Sequence, residues 1–238
     1  MDKLLRFSEY EIFAYAASGL AAMLVWDFVF GTHWVLGAQW GVYEGVAVLF
    51  GAYVIGHVVA WPASWLLERR FVRRFLGAPA TALFREAPPG ALANLKRRLF
   101  PDYFTPLDQS TQDRVKARAL DEGHLVNSGE GLFWLAFAQA KRDAPTYARM
   151  EAFLKHYGFC RNMSFVALAG AMLLTGDALS HLWHEAATGE VLYRVWWALI
   201  ALTAGVGMLY RYLKFHRLYS VEVFVGYPEL PSPTTRGE

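Results

Sequence analysis

Four stretches of the chain are almost unbroken in apolar residues, at 12–31, 45–67, 162–182 and 191–210. A bilayer core about 30 Å thick needs roughly 20 helical residues, so each stretch is long enough to cross one. Formal charges within them are few: Asp27 in the first, Asp177 near the end of the third and Arg194 near the start of the fourth. The second carries none, and holds His57. Four such helices would leave a soluble chain of this size too little polar surface to cover them. The predicted class is therefore all-α, a polytopic membrane protein with four transmembrane helices and a helical cytoplasmic insertion between spans two and three. The division expected is 1–68 for a first transmembrane hairpin, 69–158 for a cytoplasmic helical domain, 159–218 for a second hairpin, and 219–238 for a cytoplasmic tail, partly disordered.

Between spans two and three the pattern changes to interleaved basic and apolar residues. Arg69, Arg70, Arg73 and Arg74 alternate with Phe71, Val72 and Phe75, which suits headgroup contact beside interfacial rings. Pro79, Pro88, Pro89 and Pro101 cut the adjoining part of the insertion into short pieces. Three helix starts are legible. Thr105-Pro106-Leu107-Asp108 offers a cap, a first-turn proline and an acid at the positive helix end. Asn127-Ser128-Gly129-Glu130 precedes an apolar run at 132–138 that is too short to span, and either packs within the insert or dips into the interface. Asp143-Ala144-Pro145 begins a pattern without a breaker before Gly158 that flows into span three. Span four likewise continues past Tyr210, so long rods running from membrane to insert are expected. The tail at 228–238, rich in proline and threonine, reads as disordered.

Charge orients this arrangement. Of 23 lysines and arginines, 22 fall on one side: Lys3, Arg6, the fifteen between 68 and 158, Arg161, and Arg211, Lys214, Arg217 and Arg236. Only Arg194 lies on the other. The basic side is expected to be cytoplasmic, with both termini there, and the composition fits a multi-pass protein of a bacterial inner membrane. Tryptophans and tyrosines gather near both predicted boundaries, where amphipathic rings favour the headgroup level. The first span reads as retained rather than as a cleaved signal core, being too long for one.

Composition agrees and narrows the function. The chain is 55% hydrophobic and 18% charged, with mean hydropathy +0.21, against about 25% charge in soluble domains. Net charge is +2, which gives no footing for a nucleic-acid partner. The single cysteine, Cys160, excludes an intrachain disulfide and a thiolate metal cluster. No phosphate-binding glycine loop, Gly-x-Ser-x-Gly elbow or His-Glu-x-x-His motif occurs, so no catalytic residue is assigned.

Charges within a membrane point to function by default. Asp27, Glu44 and Asp177 all fall toward the outer ends of their helices, with Arg194 as the cation opposing them. The plainest reading is that these groups reach outer water while Arg194 neutralises one carboxylate. A second makes them an acidic vestibule or ion pathway. A third makes Asp177, His181 and His184, spaced four and three, one helix face able to bind zinc or a similar divalent metal. No other cofactor is expected. Arg69, Arg70, Arg73, Arg74 and Arg161 are the candidates for contact with the membrane surface or a lipid. Small residues, among them Gly19, Gly51, Gly56, Gly170 and Gly205, permit close helix contact and self-association. The expected partners are the bilayer, further copies or another membrane subunit, and a cytoplasmic protein. The function expected is that of a non-enzymatic membrane effector or channel-like subunit whose insert receives a signal or partner. Alternatives are a membrane anchor or scaffold, and a metal-dependent membrane enzyme using the outer Asp/His cluster.

Overall fold

The structure is a computed structural model that describes residues 9–36, 41–85, 92–125, 128–184 and 187–230. Among these residues all regular structure is helical: α1 (Glu9–Phe30), α2 (Val42–Ala63), a π-helical segment (Ser64–Leu76), α3 (Pro79–Leu83), α4 (Ala93–Leu99), α5 (Gln109–Asp121), α6 (Gly129–Ala140), α7 (Ala144–Trp183) and α8 (Thr188–Gly226). Short 3-10 turns occupy Asp102–Phe104 and Tyr227–Glu229. Four helices are long and apolar enough to cross a membrane: α1, α2 with its continuation, α7 and α8. The chain divides into two compact units, 1–68 with 158–212, and 69–157 with 213–238. The helices α7 and α8, of 40 and 39 residues, each contribute to both.

In the first unit α1 and α2 approach backbone to backbone. A Cβ added at Gly19 would lie 1.7 Å from the Ala52 carbonyl oxygen, and one at Gly56 would lie 2.0 Å from that of Tyr15. Only glycine permits this approach, and Ser18 and Ala52 are fully buried in it. Gly205 of α8 also packs closely on α7, where the Ser164 hydroxyl donates to the Gly205 carbonyl at 2.9 Å. Gly51, in contrast, faces open space. His57 stacks on Tyr15 with ring centroids 3.9 Å apart.

The helix of span two widens after Pro62, whose missing N–H interrupts the α ladder. From Ser64 onward the bonds reach back five residues, as in Gly77 N–H to the Val72 carbonyl at 2.8 Å. Such a helix has about 4.4 residues per turn. The buried residues follow that period: Ala63, Leu67, Val72 and Leu76 are spaced four, five and four apart. On an α-helix these four positions would not share one face. Gly77, at φ +91, ends the segment, and the buried Tyr103 hydroxyl donates to its carbonyl at 2.7 Å.

The second unit has its own apolar core, built from Leu83, Val115, Leu132, Ala136, Met150, Val223, Phe224 and Tyr227 among others. Of the apolar run at 132–138, Leu132 and Ala136 are buried in this core, while Trp134 is exposed. Ser128 caps α6, accepting from the Gly131 N–H at 3.1 Å, and the Asp143 carboxylate accepts from the Thr146 N–H at the start of α7. The start of α5 differs from expectation: Asp108, not Thr105, is its cap, with its carboxylate accepting from the Ser110 N–H at 3.0 Å. Leu107 is held instead by a backbone bond from its N–H to the Leu83 carbonyl.

The division at 218/219 also differs. Helix α8 runs on to Gly226, and Val223, Phe224, Tyr227 and Leu230 belong to the core of the second unit. Glu122 fastens this end. Its carboxylate accepts from Arg118 at 2.7 Å, Gln139 at 2.5 Å and the Tyr227 hydroxyl at 2.9 Å, while Arg118 also donates to the Leu230 carbonyl. Of the expected disordered tail, residues 231–238 lie outside those described.

Candidate functional site

Asp27 lies in the last turn of α1, where a carboxylate faces the unfavourable negative end of the helix dipole. The loop after the helix corrects this. Gly31 and His33 take positive φ, +61 and +57, and turn the backbone over the end of the helix. The Thr32 hydroxyl then donates to Asp27 Oδ1 at 2.5 Å, and so does the Trp34 N–H at 2.8 Å. The N–H groups of Val35 and Leu36 donate to Oδ2 at 2.9 and 2.6 Å. Four donors therefore converge on a carboxylate that is only 3% exposed. They form a nest of backbone amides built by the chain for its own anion, and they supply the compensation that burying a charge demands. Asp27 holds the loop at 32–36 onto the helix.

Asp177 is engaged from a neighbouring helix. Arg194 Nε of α8 lies 2.8 Å from Asp177 Oδ2 of α7. His181 Nε2 is 3.7 Å from the other carboxylate oxygen, and its Nδ1 is 3.9 Å from Glu190. Both separations are longer than hydrogen bonds. His184 is exposed in the turn that ends α7. Among the described residues no three histidine, cysteine or acidic groups are gathered closely enough to hold a metal ion. Glu44 is exposed in the first turn of α2, where an acid complements the helix dipole.

Arg161 has a protein partner. Its guanidinium donates to Glu68 at 2.9 Å and to the Asn162 side chain at 3.2 Å. It ties the end of span two to the start of span three, instead of being wholly available to a lipid. Arg69, Arg70, Arg73 and Arg74 lie along the π-helical segment, all of them exposed.

A cavity of about 460 Å³ opens among α1, α7 and α8. Its wall is almost wholly apolar, with Leu24, Val25, Val166, Leu174, Trp197 and Ile200 among the residues that form it. The structure thus separates residues that the sequence groups together. Asp177, His181 and Arg194 come together, Asp27 is enclosed by its own loop, and Glu44 and His184 are exposed at helix ends. Thr32, Glu68 and Glu122 do not stand out in the sequence. The Gly31-Thr32 pair just beyond Asp27 is the available signal for the first. The other two depend on partners 93 and 105 residues away. Comparison with protein-family models, with curated proteins and with solved structures gave no match.

Proposed function

We propose that the chain is a non-enzymatic membrane anchor and effector, whose helical unit outside the spans engages a protein partner and which moves no solute as a single copy. The observation that carries this reading is the use made of the charges among the spans. Asp27 is saturated by four donors and Asp177 is paired with Arg194. A carboxylate so occupied gives a passing cation little, because every coordination would break an internal bond. The cavity among α1, α7 and α8 offers almost no polar lining to replace a hydration shell. The second unit, in contrast, has a packed core and exposes Leu120, Leu125 and Trp134, a kind of apolar surface that suits a protein contact. The basic bias of 22 residues out of 23 supports a cytoplasmic position for this unit and an inner membrane for the spans.

Two measurements test the proposal together. Purified protein reconstituted in liposomes should pass monovalent cations no faster than empty vesicles. Photo-crosslinking in native membranes from positions 120, 125 and 134 should trap one protein at a fixed stoichiometry, and Trp134→Ala should weaken that adduct. Cation flux that is lost with Asp27→Ala or Asp177→Ala would overturn the proposal in favour of an ion pathway.

A further inference from the structure

The π-helical segment and α4 both expose basic and apolar side chains to the surroundings. On the segment, burial selects Leu67, Val72 and Leu76, and the opposite face presents Trp65 and Leu66, then Arg69 and Arg70, then Arg73 and Arg74. A spacing of four keeps these pairs in line at about 4.4 residues per turn. The exposed face thus passes from an aromatic and a leucine to four arginines, in a helix continuous with α2. Arg69 comes only six residues after Ala63 ends α2, so the chain keeps these guanidiniums close to the end of the span.

Helix α4 is fixed to the same segment. The Lys96 ammonium lies 4.4 Å over the Phe75 ring, and Phe100 meets Phe71 edge to face at 5.8 Å. That contact buries Lys96 and turns the other side of α4 outward. Leu92, Leu95 and Leu99 are 51%, 46% and 47% exposed. At i, i+3 and i+7 they form one stripe, and the exposed Arg97 and Arg98 flank it. A stripe of leucine edged by arginine, beside four further arginines and at the end of a span, matches the apolar depth and negative surface of an anionic leaflet.

We infer that α4 and the π-helical segment form a docking surface for anionic phospholipid headgroups, with Leu92, Leu95 and Leu99 entering the leaflet and Arg69, Arg74, Arg97 and Arg98 contacting the phosphates. The surface clamps the start of the second unit to the bilayer. Each basic residue near an anionic surface strengthens such contact roughly fivefold. Loss of both Arg97 and Arg98 therefore lowers the docked-to-undocked ratio on the order of twenty-fold.

The test uses the full chain in nanodiscs, either of phosphatidylcholine alone or with phosphatidylglycerol added. An environment-sensitive dye is attached at Leu95→Cys on a Cys160→Ala background. The dye should report an apolar setting and be quenched by lipid-borne quenchers when phosphatidylglycerol is present. Added salt, or Arg97→Ala with Arg98→Ala, should return it to water. Amide hydrogen exchange of 92–99 in the unsubstituted chain gives the same comparison without a variant, with slower exchange expected in the anionic discs. A dye exposed to water in both lipids, with exchange insensitive to lipid charge, would overturn the inference. So would a dye equally shielded in both lipids and unaffected by salt, because a protein contact would then explain the shielding.

Discussion

Replacing Gly56 with alanine adds one methyl group at the point where α1 and α2 meet. That methyl would lie 2.0 Å from the Tyr15 carbonyl oxygen, 2.6 Å from its carbon and 3.0 Å from Cα. Ordinary contact begins near 3.4 Å, so the Tyr15 backbone must retreat by about 1.4 Å. No rotamer change relieves this, because every atom met is main chain. Moving α1 away also loosens the contact of Gly19 with Ala52. Overpacking of this kind costs about 1–3 kcal/mol. Alanine is the better helix former by up to about 1 kcal/mol in water, but a span released from its neighbour stays helical within the bilayer, so little of that preference is recovered. The expected net loss is about 2 kcal/mol. Gly51→Ala and Gly207→Ala provide the control, since an added Cβ at either meets nothing within 4 Å. Equilibrium unfolding in mixed micelles, followed by tryptophan fluorescence, should shift clearly for Gly56→Ala and hardly at all for the controls. If all three variants unfold together, the close backbone approach is not a source of stability and the packing argument fails.

Asp27→Asn should free the loop at 32–36, because the amide keeps one acceptor oxygen and turns N–H donors toward amides that also donate; faster exchange at Trp34, Val35 and Leu36 is the readout, and retained protection would refute the nest. Arg194→Gln should cost about 1–2 kcal/mol, less than the about 3–5 kcal/mol of a fully buried pair because the side chains are 21% and 12% exposed. Adding Asp177→Asn should recover part of that loss, and a double-mutant cycle with no coupling would contradict the pairing. Burial pushes the Tyr103 phenol well above its ordinary value of about 10. The folded chain therefore holds this proton where the unfolded chain releases it, so the contribution is complete below pH about 10 and declines as pH rises beyond. Tyr103→Phe should flatten that alkaline loss in pH-dependent unfolding, and an unchanged slope would place the titration elsewhere.

The four long apolar helices were legible because hydropathy is local: some twenty consecutive apolar residues are recognised as long enough to cross a bilayer without knowledge of their neighbours. The starts of α6 and α7 were legible for a similar reason, since Ser128 and Asp143 bond to amides three residues ahead. That Arg194 would neutralise a carboxylate was legible because it is a lone cation among acids, but that the carboxylate is Asp177 was decided by the packing of α8 on α7. The remaining features depended on folding. The fate of Asp27 required the reversal at Gly31 and His33, which brings three amides over a carboxylate that the bare pattern leaves facing outward. Arg161 met Glu68, and Glu122 met Tyr227, only because distant segments converged. The π geometry after Pro62 decided how the two exposed arginine pairs align, and a reading at 3.6 residues per turn misplaces them. The end of α8 joined the second unit because Phe224 and Tyr227 could be buried there, a gain that depends on a core shaped by α3, α5 and α6. Sequence determines which segments leave water; tertiary structure decides which polar groups meet, because a partner is selected by distance in space.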